Sequence, residues 1–125
     1  MSTFKIEHLA VVSLRTADLP ATIHFYRDVI GLTRLAHHGH RPAFDLGNGL
    51  FLVIVEAGGE QNHISTSDRF PVLAFAVADL DQAVEHLNRF KIEMPWGIES
   101  DLNNRWVQFY DPGGNLIEFA QFALW

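Results

Sequence analysis

Short apolar stretches alternate along this chain with clusters of polar turn formers, and the spacing changes in a set order. Residues 9–16 are rich in Val and Leu and read as a strand. Asp18 is placed as an N-cap and Pro20 suits a first helical turn. Leu19, Ile23, Tyr26 and Ile30 then form one apolar stripe at helical spacing, and Gly31 supplies the stop. Residues 32–38, 43–46 and 50–55 are three further strands, the last two joined by a Gly47-Asn48-Gly49 turn. The predicted order is β-α-β-β-β. After the polar stretch GGEQNHISTSDR (58–69) the order repeats. Residues 72–77 read as a strand, 79–90 as a helix, and 92–96, 105–110 and 115–122 as strands, with Asp111-Pro112-Gly113-Gly114 as the last turn. Residues 97–104 are expected to be a mobile loop.

The repeat is position by position. At a shift of sixty-one residues Asp18-Leu19 falls on Asp79-Leu80, Thr22 on Ala83, Ile23 on Val84, Tyr26 on Leu87 and Val29 on Phe90. The preceding strands superpose too, 11–17 on 72–78. The chain therefore reads as one module written twice: module one 4–57, a linker 58–70 and module two 71–125. A duplicated module places a site between its copies.

Composition narrows the classes. A length of 125 residues suits one compact domain, or two half-domains sharing a core. With 48% apolar and 19% charged residues the chain is ordinary for a globular protein. No apolar run is long enough to span a bilayer, and the opening Met1-Ser2-Thr3-Phe4-Lys5 lacks a secretory pattern. Without cysteine there is no disulfide framework and no thiolate metal site, and the expected compartment is cytoplasmic. A net charge of −6 with no Lys/Arg cluster argues against nucleic acid as a partner. Ten Phe and three Trp leave room for an aromatic-lined cavity beside the core.

Two stretches, VSLRTADLPATIHFYRDVIGL (12–32) and FYDPGGNLIEF (109–119), resemble the vicinal oxygen chelate superfamily of glyoxalase I, extradiol dioxygenases, fosfomycin-resistance enzymes and bleomycin-resistance proteins. The resemblance implies an α+β fold in which two tandem βαβββ modules form a cupped mixed sheet around a pocket. It also implies a homodimer with pockets near the subunit interface. In the metal enzymes of the family the ligands come from the first and fourth strands of each module. The first-strand ligand is a His seven residues before the helix-opening Asp, and the last is the Glu of a DPxGNxxE motif. The matching positions here are Val11, Val72, one of Phe51, Leu52 or Val53, and Glu118. Only Glu118 keeps a ligand type, whereas a divalent ion needs three or four N/O donors at about 2.0–2.6 Å. No cofactor is therefore expected. A second register, with three extra residues before Asp18, starts from His8. It gives His8, Glu56 and Glu118 as an alternative set for zinc, nickel, manganese or iron.

Val11, Ser13 and Arg15 share a strand face. Arg15 either forks onto a ligand carboxylate or phosphate, or pairs with Glu118 or reaches solvent. On the matching strand Val72, Ala74 and Ala76 are small, which leaves a cavity or admits a close neighbour. His37, His38 and His40 read as a polar strand end, His24 and His86 as exposed helix positions, and His63 as part of the linker. Trp96 and Trp106 flank the 97–104 loop and read as an aromatic wall or as packing. The expected ligand-binding set is Ser13, Arg15, Val53, Ala74, Trp96, Trp106 and Glu118, with Glu118 also the one candidate catalytic group, as a general base. The leading expectation is a metal-free protein that binds a small organic molecule without chemistry. The alternatives are a metal-dependent lyase, isomerase or dioxygenase, and a regulatory or structural dimer whose pocket is filled by Phe51 and Trp106.

Overall fold

The computed structural model describes residues 7–38, 41–56, 71–102 and 104–122. The first strand, β1 (Val11–Thr16), turns Leu14 and Thr16 inward and Val11, Ser13 and Arg15 outward. Asp18 caps the helix that follows, its Oδ1 accepting from Ala21 N at 3.1 Å. Helix α1 (Leu19–His24) runs on as one π-helical turn, Phe25–Val29, in which Ile30 N donates to Phe25 O at 2.9 Å. Gly31 ends it at φ +87°. Three strands follow: β2 (Arg34–His38), β3 (Arg41–Asp45) and β4 (Phe51–Glu56). Module two repeats the order with β5 (Leu73–Ala76), α2 (Leu80–Arg89), β6 (Ile98–Ser100), β7 (Asn104–Tyr110) and β8 (Leu116–Phe122).

Each module builds a four-stranded mixed sheet, β1-β4-β3-β2 in one and β5-β8-β7-β6 in the other. The first and fourth strands of each are parallel neighbours and the other pairs are antiparallel. This is the α+β arrangement that the resemblance implies. The two halves share one core: Phe25, Tyr26, Phe44, Leu52 and Ile54 pack in the same cluster as Leu80, Leu87, Phe109 and Ile117. The Phe25 and Phe109 rings lie 6.2 Å apart across the halves. Each such side chain contributes ~1.5–3 kcal/mol on leaving water.

A polar tie runs beside that core. Tyr26, fully buried, donates from its hydroxyl to Asp111 Oδ2 at 2.6 Å. Asn115 donates to Asp111 Oδ1 from its backbone at 2.8 Å and, from Nδ2, to the Arg15 carbonyl at 3.0 Å. The β7–β8 turn of module two is thereby fastened to the helix and first strand of module one.

Three expectations change. Residues 92–96 form no strand. Lys91 takes a positive φ of 58°, Pro95 has no N–H to give a ladder, and Gly97 N closes a turn onto Met94 O at 3.1 Å. The loop expected over 97–104 instead contains β6, paired with β7 through Ile98↔Val107 and Ser100↔Arg105. His86, expected at the surface, is half-buried, with Nε2 2.6 Å from the Val29 carbonyl at the end of the first module's helical segment. The linker 58–70, His63, Asn103 and the side chains of His37, His38 and His40 lie outside the described residues. Among the described residues no helix is long and apolar enough to cross a membrane.

Candidate functional site

Each sheet has one face packed on the shared core and one face turned away from it. In the first sheet the outer face carries Val11 beside Phe51, Ser13 beside Val53 and Arg15 beside Val55. In the second, Ala74 lies beside Glu118, Gln108 pairs with Glu118, Trp106 with Ala120 and Tyr110 with Leu116. Ala74 is the copy of Ser13, so Val53 and Glu118 occupy equivalent places. That correspondence picks Val53 from the three fourth-strand positions left open by sequence.

The outer face of the second sheet gathers the polar and aromatic groups. Gln108 Nε2 donates to Glu118 Oε1 at 2.9 Å. Trp106, Gln108 and Tyr110 alternate along β7, all half-buried, so they stand in one row. Trp96 lies in the turn before β6, half exposed at 51%, its ring 6.1 Å from Tyr110 and tilted by 58°. Trp96 thus meets the Tyr110 end of this row, and Trp106 stands at the other end, with Gln108 between and ~13 Å of strand separating the two aromatic side chains. Gln108 and Tyr110 were not foreseen. Period-two alternation from Trp106 carried the signal for both.

Ser13 and Arg15 are exposed on the first sheet, and Val53 beside Ser13 is buried. Asn115, which holds the Arg15 carbonyl, lies on the same turn that feeds β8 and Glu118. Phe51 is half-buried beside Val11, in the other sheet from Trp106.

The structure does not bring the alternative metal set together. His8 is exposed ahead of β1, where a Cβ built on Gly49 would lie 3.5 Å from its Nε2. Phe51 pairs with Val11 and Glu56 with Thr16, so Glu56 sits at the opposite end of β4. Five residues of strand span ~17 Å, far beyond the reach of one ion's ligand shell. Among the described residues no three His, Asp or Glu side chains converge. The four family positions hold three valines and one carboxylate, a donor set from this chain that does not fit a divalent ion.

Tandem βαβββ modules with parallel first and fourth strands, joined through one core, define the vicinal oxygen chelate architecture. The family model described as Glyoxalase/Bleomycin resistance protein/Dioxygenase superfamily matches residues 5–119, and the chain belongs to that superfamily. Among solved structures it is similar to FosX, a genomically encoded fosfomycin resistance protein from Listeria monocytogenes. The two are 22% identical, with 96% of this chain and 97% of that one covered at a TM-score of 0.76. TnmS3, an antibiotic binding protein from Streptomyces sp. CB03234, is 23% identical over 95% and 98% of the two chains, with a TM-score of 0.73. A lactoylglutathione lyase from Agrobacterium tumefaciens is 23% identical over 96% and 97%, with a TM-score of 0.70.

Proposed function

We propose that this protein holds a small, flat organic molecule against the outer face of its second sheet and performs no metal chemistry on it. The supporting observation is the make-up of that face: Trp106 at one end, the Tyr110–Trp96 pair at the other, and between them a carboxylate engaged by Gln108. Aromatic faces stack on planar ligands. The Glu118–Gln108 pair offers an acceptor and an amide that fix orientation. Ser13 and Arg15 supply a hydroxyl and a guanidinium on the first sheet, suited to a ligand that also carries a carboxylate or phosphate. Ala74, beside Glu118, leaves room for the ligand edge. The working form we propose is a homodimer, in which a second copy shields ligand on the outer faces, and a cysteine-free chain suits the cytoplasm. That TnmS3 is described as an antibiotic binding protein favours a sequestering role.

One observation favours the enzyme reading: Glu118 stands where the family's last ligand stands, and a lyase is among the structural neighbours. The test combines two measurements. Elemental analysis of protein purified without chelator is expected to find no stoichiometric metal. Tryptophan fluorescence is expected to be quenched saturably by a panel of planar aromatic amines and acids, with Trp106→Ala weakening the best binder about tenfold or more. A stoichiometric metal that disappears in Glu118→Ala would instead establish the metal-dependent reading.

A further inference from the structure

The two modules are related by the repeat, yet among the described residues the cross-module latch of Tyr26 onto Asp111 has no counterpart from the second helix. Tyr26 of the first helix reaches over to the β7–β8 turn and ties Asp111. Gly113 of that turn lies so close to β1 that a Cβ would come within 2.4 Å of the Arg15 carbonyl. The symmetry-related contact would run from α2 to the β3–β4 turn, 45–50. The copy of Tyr26 is Leu87, which has no donor. Asp45, at the start of that turn, accepts instead from Gly47 N at 2.8 Å, within its own turn. The first module's turn is therefore not fastened as the second module's is.

The consequence lies where the edge strands of the two sheets meet. β1 and β5 are the end strands of separate sheets. At the Arg15 end the seam is closed by Gly113 and Asn115. At the other end a cavity of about 330 Å³ opens, lined by both modules: Leu9, Val12, Leu32, Leu46 and Leu50 from the first and Leu73, Ala74 and Phe75 from the second. Among the described residues Asp45 is the one charged residue in its lining. Val12, Leu73 and Phe75 belong to the strand faces opposite Ser13 and Glu118, and Ala74 is the lining residue shared with the Glu118 face, so the space opens mainly on the other side of the sheets from Trp106 and Tyr110.

We propose that this cavity is a second ligand site, for a compact molecule with an aliphatic body and a neutral or cationic polar end. A largely apolar cleft of this volume gains contacts when filled by hydrocarbon. The Asp45 carboxylate and a net charge of −6 disfavour an anionic end. The site does not depend on the reading of the outer sheet face.

Octanol, octylamine and octanoate test it, followed by methyl resonances of the unsubstituted protein. Octanol and octylamine are expected to shift the methyls of Leu9, Leu32, Leu46, Leu50 and Leu73 saturably, with octanoate binding about tenfold more weakly. Leu50→Trp and Leu46→Trp, each filling the cavity, are expected to abolish the octanol response. No saturable shift, shifts confined to the surroundings of Trp106 and Glu118, or a folded Trp variant that keeps its octanol affinity would overturn the site. Equal affinity for octanoate would overturn its charge preference. The methyl map decides even where neither variant folds.

Discussion

Tyr26 shows how one hydroxyl holds two modules in register. Burial, with the Asp111 carboxylate beside it, pushes its phenol far above the ordinary value of 10.0. Burial also raises the Asp111 carboxyl, while hydrogen bonds from Tyr26 and Asn115 pull it the other way. Tyr26→Phe leaves the carboxylate buried without its hydroxyl partner and is expected to cost ~1–3 kcal/mol in urea denaturation near neutral pH. The pH dependence follows from linkage. A group whose folded pKa is raised contributes stability that is fully present below the unfolded value, here 10.0, and is lost as pH climbs above it. The unsubstituted protein should therefore lose stability above pH 10 more steeply than Tyr26→Phe, and the gap between them should narrow. Parallel curves in alkali would show that Tyr26 ionises as freely in the fold as outside it. Gly113 acts by space alone. With the Arg15 carbonyl 2.4 Å from any added Cβ, Gly113→Ala forces backbone apart and is expected to cost ~1–3 kcal/mol, read as a drop in melting temperature.

The two helices end by the same device with different residues. In α2 the Ile92 amide bonds the Leu87 carbonyl at 3.0 Å and the Lys91 amide the Asn88 carbonyl at 3.0 Å, a Schellman closure. Its left-handed residue is Lys91, at φ 58°. The first module uses Gly31 there, and its π turn lengthens the closing bond so that Leu32 N reaches back to Tyr26 O at 2.9 Å. Lys91→Gly is expected to stabilise the protein by up to ~1 kcal/mol, as a higher denaturation midpoint at unchanged slope. A loss of stability would mean that the lysine stem contributes more packing than the strain removes. The same closure explains a misreading. Ile92, Met94 and Trp96 alternate as a strand would, but Ile92 and Met94 pack on the core from a turn, and Lys91, Pro95 and Gly97 bend the backbone out of any ladder. The short β6 carries no comparable pattern: Ile98 is exposed and Glu99 half-buried, so only its pairing with β7 reveals it. Gln108 and Tyr110 went unforeseen although strand parity from Trp106 puts both on its face, because parity says nothing of which side chains along a face matter.

The fold was legible because its two copies agree, at Asp18 and Asp79, Leu19 and Leu80, Ile23 and Val84. The chemistry was harder to read because it lies where they differ, and a difference gains meaning only from its neighbours across the sheet. Glu118 has Gln108 opposite and Ala74 alongside, whereas its counterpart Val53 has Ala43 opposite and Ser13 alongside. Ala43 and Val53 are 1% and 3% exposed, so the place that the second sheet keeps polar is apolar and buried in the first. Restoring the symmetry should therefore be costly. Val53→Glu puts a carboxylate into a buried position with an alanine where Glu118 finds an amide, and an unpaired buried charge neutralises or unfolds the protein. The substitution is expected to destabilise by ~3 kcal/mol or more at neutral pH. The loss should be partly recovered as pH falls, because the raised folded pKa favours the protonated fold. Ala43→Gln in the same chain should return part of the loss by supplying the donor that Gln108 gives Glu118, provided the larger side chain is accommodated. Denaturation of the single and double variants at two pH values separates these effects. A Val53→Glu protein as stable at neutral pH as the unsubstituted chain would mean that the first sheet's outer face is open to water, and that the asymmetry between the two copies is not built into the packing.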